Sequence, residues 1–82
     1  MKRLEYYSAE WCEPCKIYKP IIQDLKNDGY DIQMYDIEKD RDISVEKGIM
    51  SIPVTIIYKD NKEFERLVGI QSKEKIKYLM SE

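Results

Sequence analysis

The stretch Glu10-Trp11-Cys12-Glu13-Pro14-Cys15 holds both cysteines and the only tryptophan of an 82-residue chain. A three-residue step on a helix places Cys12 and Cys15 on one face. Helical periodicity begins near Cys12 and continues to about Asn27. Tyr18, Ile21, Ile22 and Leu25 form one stripe, and Lys16, Lys19, Gln23 and Lys26 the opposite side. Pro14 suits the first turn, where a missing N–H costs nothing. Pro20, inside the run, should bend the helix, and Gly29 closes it. The first turn presents unpaired N–H groups and the positive end of the helix dipole, so a thiolate at Cys12 is favoured and its pKa falls. Cys12 is expected to be the more exposed thiol and to attack a disulfide. Cys15 then resolves the mixed disulfide in a fast intramolecular step.

Outward from this stretch, Lys2 to Tyr7 reads as an aromatic-rich first strand and Asp31 to Ile37 as a second. Asp40-Arg41-Asp42 opens a short helix carrying Ile43 and Val45, and Gly48 ends it. Val54 to Tyr58 is a nearly unbroken β-branched run, as a central strand requires. Lys59-Asp60-Asn61-Lys62 is a hairpin turn, and Glu63 to Val68 the return strand. Ser72 caps a last helix whose buried stripe is Ile76, Leu79 and Met80. The order β-α-β-α-β-β-α defines an α/β fold: one domain over residues 1–82, with a four-stranded mixed sheet flanked by helices.

Composition narrows the chemistry. The chain has two cysteines, no histidine and a net charge of −2. A disulfide across so short a loop constrains the unfolded chain little, so it is a poor staple. The missing histidine excludes Ser-His and Cys-His nucleophile systems. A closed zinc site usually takes a second Cys-x-x-Cys or a histidine pair, so no metal site is expected. No basic stripe suits nucleic acid, and neither a signal sequence nor a membrane span is visible. The expectation is a cytoplasmic monomer.

Trp11-Cys12-Glu13-Pro14-Cys15-Lys16 resembles the active site of the thioredoxin family. The likeness extends to Ala9-Glu10 before the tryptophan, to Pro20, to Gly48-Ile49-Met50-Ser51-Ile52-Pro53, and to Val68-Gly69. The resemblance implies a minimal thioredoxin fold and reduction of protein disulfides through a reversible Cys12–Cys15 disulfide, with no other cofactor. It also implies a cis Ile52–Pro53 bond lying against the cysteines. Trp11, Pro14, Ile52, Pro53, Gly69 and Ile70 are then the expected substrate groove, where an extended chain pairs partly through its backbone. The electron donor implied is a thioredoxin reductase-like enzyme or glutathione.

Three departures stand out. The chain lacks the first strand and helix of a full thioredoxin and is the size of a glutaredoxin. Tyr6 occupies the place of the family's buried aspartate, and Met34 that of its partner lysine. A water, or one of Glu10, Glu13 and Glu38, is a candidate to replace it. Glu13 stands where the family usually has glycine, and a carboxylate there should raise the Cys12 pKa. Glu13 and Tyr6 are thus the expected tuning residues. Two alternatives stay open: a glutathione-dependent glutaredoxin type, and a redox-inert or metal-bridged binding module. Against the glutaredoxin type, proline precedes the second cysteine, and the glycine pair and acid that hold glutathione are missing around Val68-Gly69-Ile70-Gln71.

Overall fold

Tyr6 and Leu4 point to one face of the first strand, Glu5 and Tyr7 to the other, and all four are buried. A strand covered on both faces belongs in the middle of a sheet. The computed structural model, which describes residues 1–81, places it there. The elements are β1 (Lys2–Ser8), α1 (Glu13–Asn27), β2 (Ile32–Asp36), α2 (Arg41–Glu46), β3 (Val54–Lys59), β4 (Lys62–Val68) and α3 (Lys73–Met80). The sheet order is β2-β1-β3-β4. β1 pairs with β2 in parallel and with β3 antiparallel, so that Tyr6 lies between Met34 and Thr55. β3 and β4 form an antiparallel hairpin with an irregularity between Ile57 and Tyr58.

One face of the sheet is covered by α1 and α3. Leu4, Tyr6 and Ile57 meet Tyr18, Ile22 and Leu25 of α1 and Ile76 and Met80 of α3. The other face carries Tyr7, Val54, Ile56 and Tyr58, packed by Ile43 of α2 together with Tyr35, Ile37 and Ile49. Element order and mixed sheet agree with the sequence reading, while boundaries move. β1 runs on to Ser8, β2 is trimmed at both ends, and β4 begins at Lys62.

Local chemistry explains the joints. Asp60 and Asn61 both have positive φ, 52° and 69°, the backbone that a two-residue hairpin requires and that Asn and Asp tolerate. Gly29, at φ +102°, lets the chain leave α1 in the left-handed region. Ser72 Oγ accepts from the Lys75 N–H at 3.1 Å and opens α3. α1 continues through Pro20, whose missing N–H takes the ladder partner from the Lys16 carbonyl. α2 departs from the sequence reading: Val45 is exposed and Ser44 is buried, its Oγ donating to the Asp40 carbonyl at 2.9 Å. A short helix buries a narrow stripe, and here a hydroxyl bonded to its own helix takes the inward place.

Glu5 is the polar exception in the centre of the sheet, at 4% exposure. It accepts from Arg3 and from the Tyr7 hydroxyl, each at 2.8 Å. Burial pushes its carboxyl up, but the bonds from Arg3 and Tyr7 and smaller contributions outweigh this and hold it below the usual range. A lowered folded value means stability that is full above the usual glutamate pKa of about 4.3 and lost as pH falls through the folded value. Glu5→Gln is therefore expected to cost about 1–2 kcal/mol at neutral pH. In thermal melts, its gap from the parent should narrow as pH falls towards about 3. A constant gap would mean that the carboxylate charge contributes nothing.

Candidate active site

The end of β1 aims the chain into the site. Ala9 is buried, its carbonyl accepts from the Cys12 N–H at 3.2 Å, and the Ile37 N–H bonds the Ser8 carbonyl at 2.9 Å. The connector between β1 and α1 is thus fixed from both sides before the helix begins. Cys12 is the N-cap of α1, in extended backbone at φ −87° and ψ 111°. Its Sγ accepts from the Cys15 N–H at 3.2 Å, and its carbonyl accepts from the Lys16 N–H at 3.2 Å. Pro14 lies in the first turn, where no N–H is wanted.

Cys12 and Cys15 are joined as a disulfide with Cα atoms 5.2 Å apart. With Ala9 they form a small buried cluster, packed by Ile37 and Ile52. Cys12 is 5% exposed and Cys15 3%. The expected contrast in exposure is therefore slight in the oxidised pair.

The Ile52–Pro53 bond is cis. The Pro53 ring is fully buried rather than presented on a rim, while Ile52 is half-buried against the cysteines. The Pro53 carbonyl accepts from the Gly69 N–H at 2.8 Å, which draws the end of β4 alongside. Gly69 has φ +90°, a conformation strained for any side chain. Trp11 at 62% exposure, Met50 at 95% and Ile70 at 44% are exposed apolar side chains. Beside Trp11 a cavity of about 320 Å³ is bounded by Ile37, Glu38, Val45 and Ile49.

Tyr6 enters from below. Its hydroxyl donates to the Cys15 carbonyl at 3.1 Å, and its ring meets Tyr18 edge-on at 5.6 Å. Burial pushes the phenol pKa up. The hydroxyl is therefore neutral at working pH and ties helix to strand. It is not a replacement base for the resolving thiol. Of the three acids considered for that task, Glu13 points outward to Lys16 at 3.2 Å, and Glu38 lies with the Trp11 cavity. Glu10 alone shares a cavity with Cys15, and its carboxylate pairs with Lys39 at 3.3 Å. Neither Ile37 nor Lys39 was singled out in the sequence. Ile37 ends an alternating run of sequence that gives no sign of where the chain leads after β2, and Lys39 lies in a charged run that reads as solvated surface.

Among the described residues, no group of three or more Asp, Glu or Cys side chains gathers in a way that could hold a metal ion. No helix is long and apolar enough to cross a membrane.

A Cys-x-x-Cys disulfide capping the first helix after a parallel-paired central strand, with a cis-proline nearby, defines a dithiol–disulfide oxidoreductase. Comparison with known proteins gives the family. The Thioredoxin family profile matches residues 2–82. A thioredoxin of Staphylococcus epidermidis is 32% identical over 77 residues, covering 90% of this chain and 74% of that one. A thioredoxin of Staphylococcus aureus is 34% identical over 71 residues, covering 83% and 68%. The solved thioredoxin of Nicotiana alata superposes with a TM-score of 0.86 at 27% identity, over 96% of this chain and 70% of that one. A thioredoxin variant of Halobacterium salinarum, at 22% identity and a TM-score of 0.87, shares the fold. The chain belongs to the thioredoxin family and is a thiol–disulfide oxidoreductase.

Two substitutions probe the tuning of the site. Tyr6→Phe removes only the bond to the Cys15 carbonyl, which keeps its place in the helix, and is expected to lower stability by about 1 kcal/mol in urea denaturation. Glu13 is 81% exposed and already faces Lys16. Glu13→Gln should therefore raise the rate of Cys12 alkylation by iodoacetamide at neutral pH by no more than about threefold, as for other screened surface charges. A tenfold rise would mean that Glu13 acts on the sulfur directly.

Proposed function

We propose that Cys12 is the attacking thiol and Cys15 the resolving thiol in the reduction of protein disulfides. The observation that carries this reading is the bond from the Cys15 N–H to Cys12 Sγ at the N-terminus of α1. When the pair is reduced, the same N–H and the helix dipole favour negative charge on Cys12, which makes it the nucleophile. Cys12 attacks one sulfur of the substrate disulfide, and the other sulfur leaves as a thiolate. Cys15 attacks Cys12, the bond from Cys12 to the substrate breaks, and the substrate departs reduced by two electrons.

The substrate lies across Trp11, Pro14, Ile52, Gly69 and Ile70, with the buried Pro53 ring supporting the groove from beneath. The exposed Trp11 and Ile70 supply apolar contact, and the backbone of the half-buried Ile52 supplies main-chain pairing. The chain works as a single-domain monomer in the reducing cytoplasm, with the disulfide as its only redox group. A thioredoxin reductase-like enzyme regenerates the dithiol. The reading is supported by the family relationship and by the missing acid around Val68-Gly69-Ile70-Gln71 that would hold glutathione.

An insulin reduction assay, run in parallel with thioredoxin reductase and NADPH and with glutathione and its reductase, tests both parts. Turnover is expected with the first donor. Turnover with glutathione alone would transfer the chain to the glutaredoxin type. Cys12→Ser should abolish turnover, and Cys15→Ser should accumulate mixed disulfides visible by mass spectrometry. An active Cys12→Ser protein would refute the assignment of roles.

A further inference from the structure

The two edges of the sheet are not alike. β4 carries Lys62, Glu63, Glu65 and Arg66 and pairs with an irregular register, both of which discourage a further strand. β2 reads Ile32-Gln33-Met34-Tyr35-Asp36, with neither lysine nor proline. Its free backbone groups follow from the register. The Leu4 N–H donates to the Asp31 carbonyl and the Ile37 N–H to the Ser8 carbonyl, each at 2.9 Å. Leu4 stands opposite Ile32 and Ser8 opposite Asp36. The odd-numbered residues of β2 therefore bond β1, and the even-numbered ones turn their N–H and C=O groups outward. Asp36 is closed off by the turn that follows. Its N–H donates to Asp40 Oδ2 at 2.9 Å, and its carbonyl accepts from the Asp40 N–H at 2.7 Å. Among the described residues, nothing bonds the outward groups of Ile32 and Met34. We propose that this open edge accepts, as an added strand, an extended segment of another protein that is acidic on one face and apolar on the other.

The two faces of the sheet set the chemistry of that segment. Ile32 and Met34 direct their side chains to the face covered by α1. On that side α1 presents Lys16, Lys19, Gln23 and Lys26 at helical spacing, all exposed. Lys16 and Lys19 line a cavity of about 350 Å³ together with Met34, and Lys39 stands on the same rim. The acids there are engaged. Glu10 pairs with Lys39 at 3.3 Å, and Asp36 Oδ1 accepts the N–H groups of Glu38 and Lys39. Lys16 reaches Glu13 at 3.2 Å. These exposed ion pairs are weak, so carboxylates on an incoming strand can take over the ammonium groups. On the opposite face the neighbours are Gln33 and Tyr35, the latter stacked on Tyr7. Apolar side chains suit that side. Because side chains alternate along a strand, the fitting segment alternates acidic and apolar residues.

A second copy of this chain fits poorly. Twofold pairing through β2 would set the lysine rows of two α1 helices side by side, and like charges so placed repel. The edge is also separate from the groove. Of the cavity-lining residues, none belongs to the set Trp11, Ile52, Pro53, Gly69 and Ile70.

A blocked peptide of alternating glutamate and valine is the probe, followed by amide NMR of the oxidised protein. Shifts and slowed hydrogen exchange are expected at the Ile32 and Met34 amides, with Trp11 and Ile70 unmoved. A lysine–valine peptide should give neither. Methylating alternate peptide nitrogens should abolish binding in one phase and spare it in the other, because only every second N–H of an added strand faces β2. Lys19→Glu with Lys26→Glu, both on the exposed side of α1, should weaken binding by about tenfold at low salt. No response at Ile32 and Met34, equal binding of the lysine–valine peptide, or indifference to methylation in both phases overturns the proposal. Protection of the two amides that rises with protein concentration alone would give the edge to a second copy, and overturns it as well.

Discussion

The bond from the Cys15 N–H to Cys12 Sγ is the constraint around which this small molecule is arranged. The start of any helix leaves several N–H groups without partners. Here one of them is answered by sulfur, where a serine or aspartate would ordinarily serve. That substitution of partner turns a structural necessity into a chemical device, because the atom that completes the helix is also the atom that reacts. It works only if the start of α1 cannot drift. Ala9 fixes the approach through its carbonyl, Ile37 bonds the Ser8 carbonyl, and Tyr6 holds the Cys15 carbonyl from the strand beneath. Three separate elements thus hold one turn of helix.

The same tyrosines explain how so short a chain builds a core on two faces of a sheet. Tyr6, Tyr7 and Tyr18 are fully buried, and each fills volume that several smaller residues would otherwise have to supply. Their hydroxyls need partners in exchange. Tyr6 bonds the Cys15 carbonyl, Tyr7 bonds Glu5, and Tyr18 lies 3.4 Å from the Thr55 hydroxyl. Tyr58 is the exception. Its buried hydroxyl has no hydrogen-bond partner among the described residues, although Arg3 and Lys47 lie over its ring. Glu5 belongs to this arrangement. It is a buried acid whose neighbours include a cation and a phenol, on the sheet face away from the cysteines.

Much of the fold was legible because its signals are local. Period and turn chemistry placed all seven elements, and Asp60-Asn61, Gly29 and Ser72 each take the backbone or cap role that their residue type favours. The site was half legible. Cys12 and Pro14 declare a helix start by type and spacing, whereas the cis bond at Pro53 came from family likeness alone. What escaped was direction. An alternating strand shows that Glu5 and Tyr7 share a face, but not that both faces are covered, so a buried Glu5 could not be anticipated. Tyr6 was visible as a residue in the place of an acid, but its hydroxyl could have faced sulfur, water or backbone. Only the register of β1 against α1 settles that it meets the Cys15 carbonyl. Val45 and Ser44 exchange their expected places for a similar reason: six residues of helix are too few for period to decide which side is inward.

The two sulfurs are nearly equal in exposure and unequal in surroundings. Cys12 carries the cap of the helix, and Cys15 borders a cavity with ammonium groups on its rim. One sulfur therefore faces a backbone N–H fixed by the fold, and the other faces side chains on an open flank. Backbone control is hard to alter without unfolding the helix, whereas side-chain control changes with a single surface residue. A buried aspartate beneath the second cysteine would put both controls in the interior. With Tyr6 in that place, its hydroxyl bonded to the Cys15 carbonyl, the charged side chains that share a cavity with Cys15 are Glu10, Lys16, Lys19, Asp36 and Lys39. The first sulfur is thus bound into the fold through a backbone N–H, whereas the surroundings of the second can change with a single surface residue.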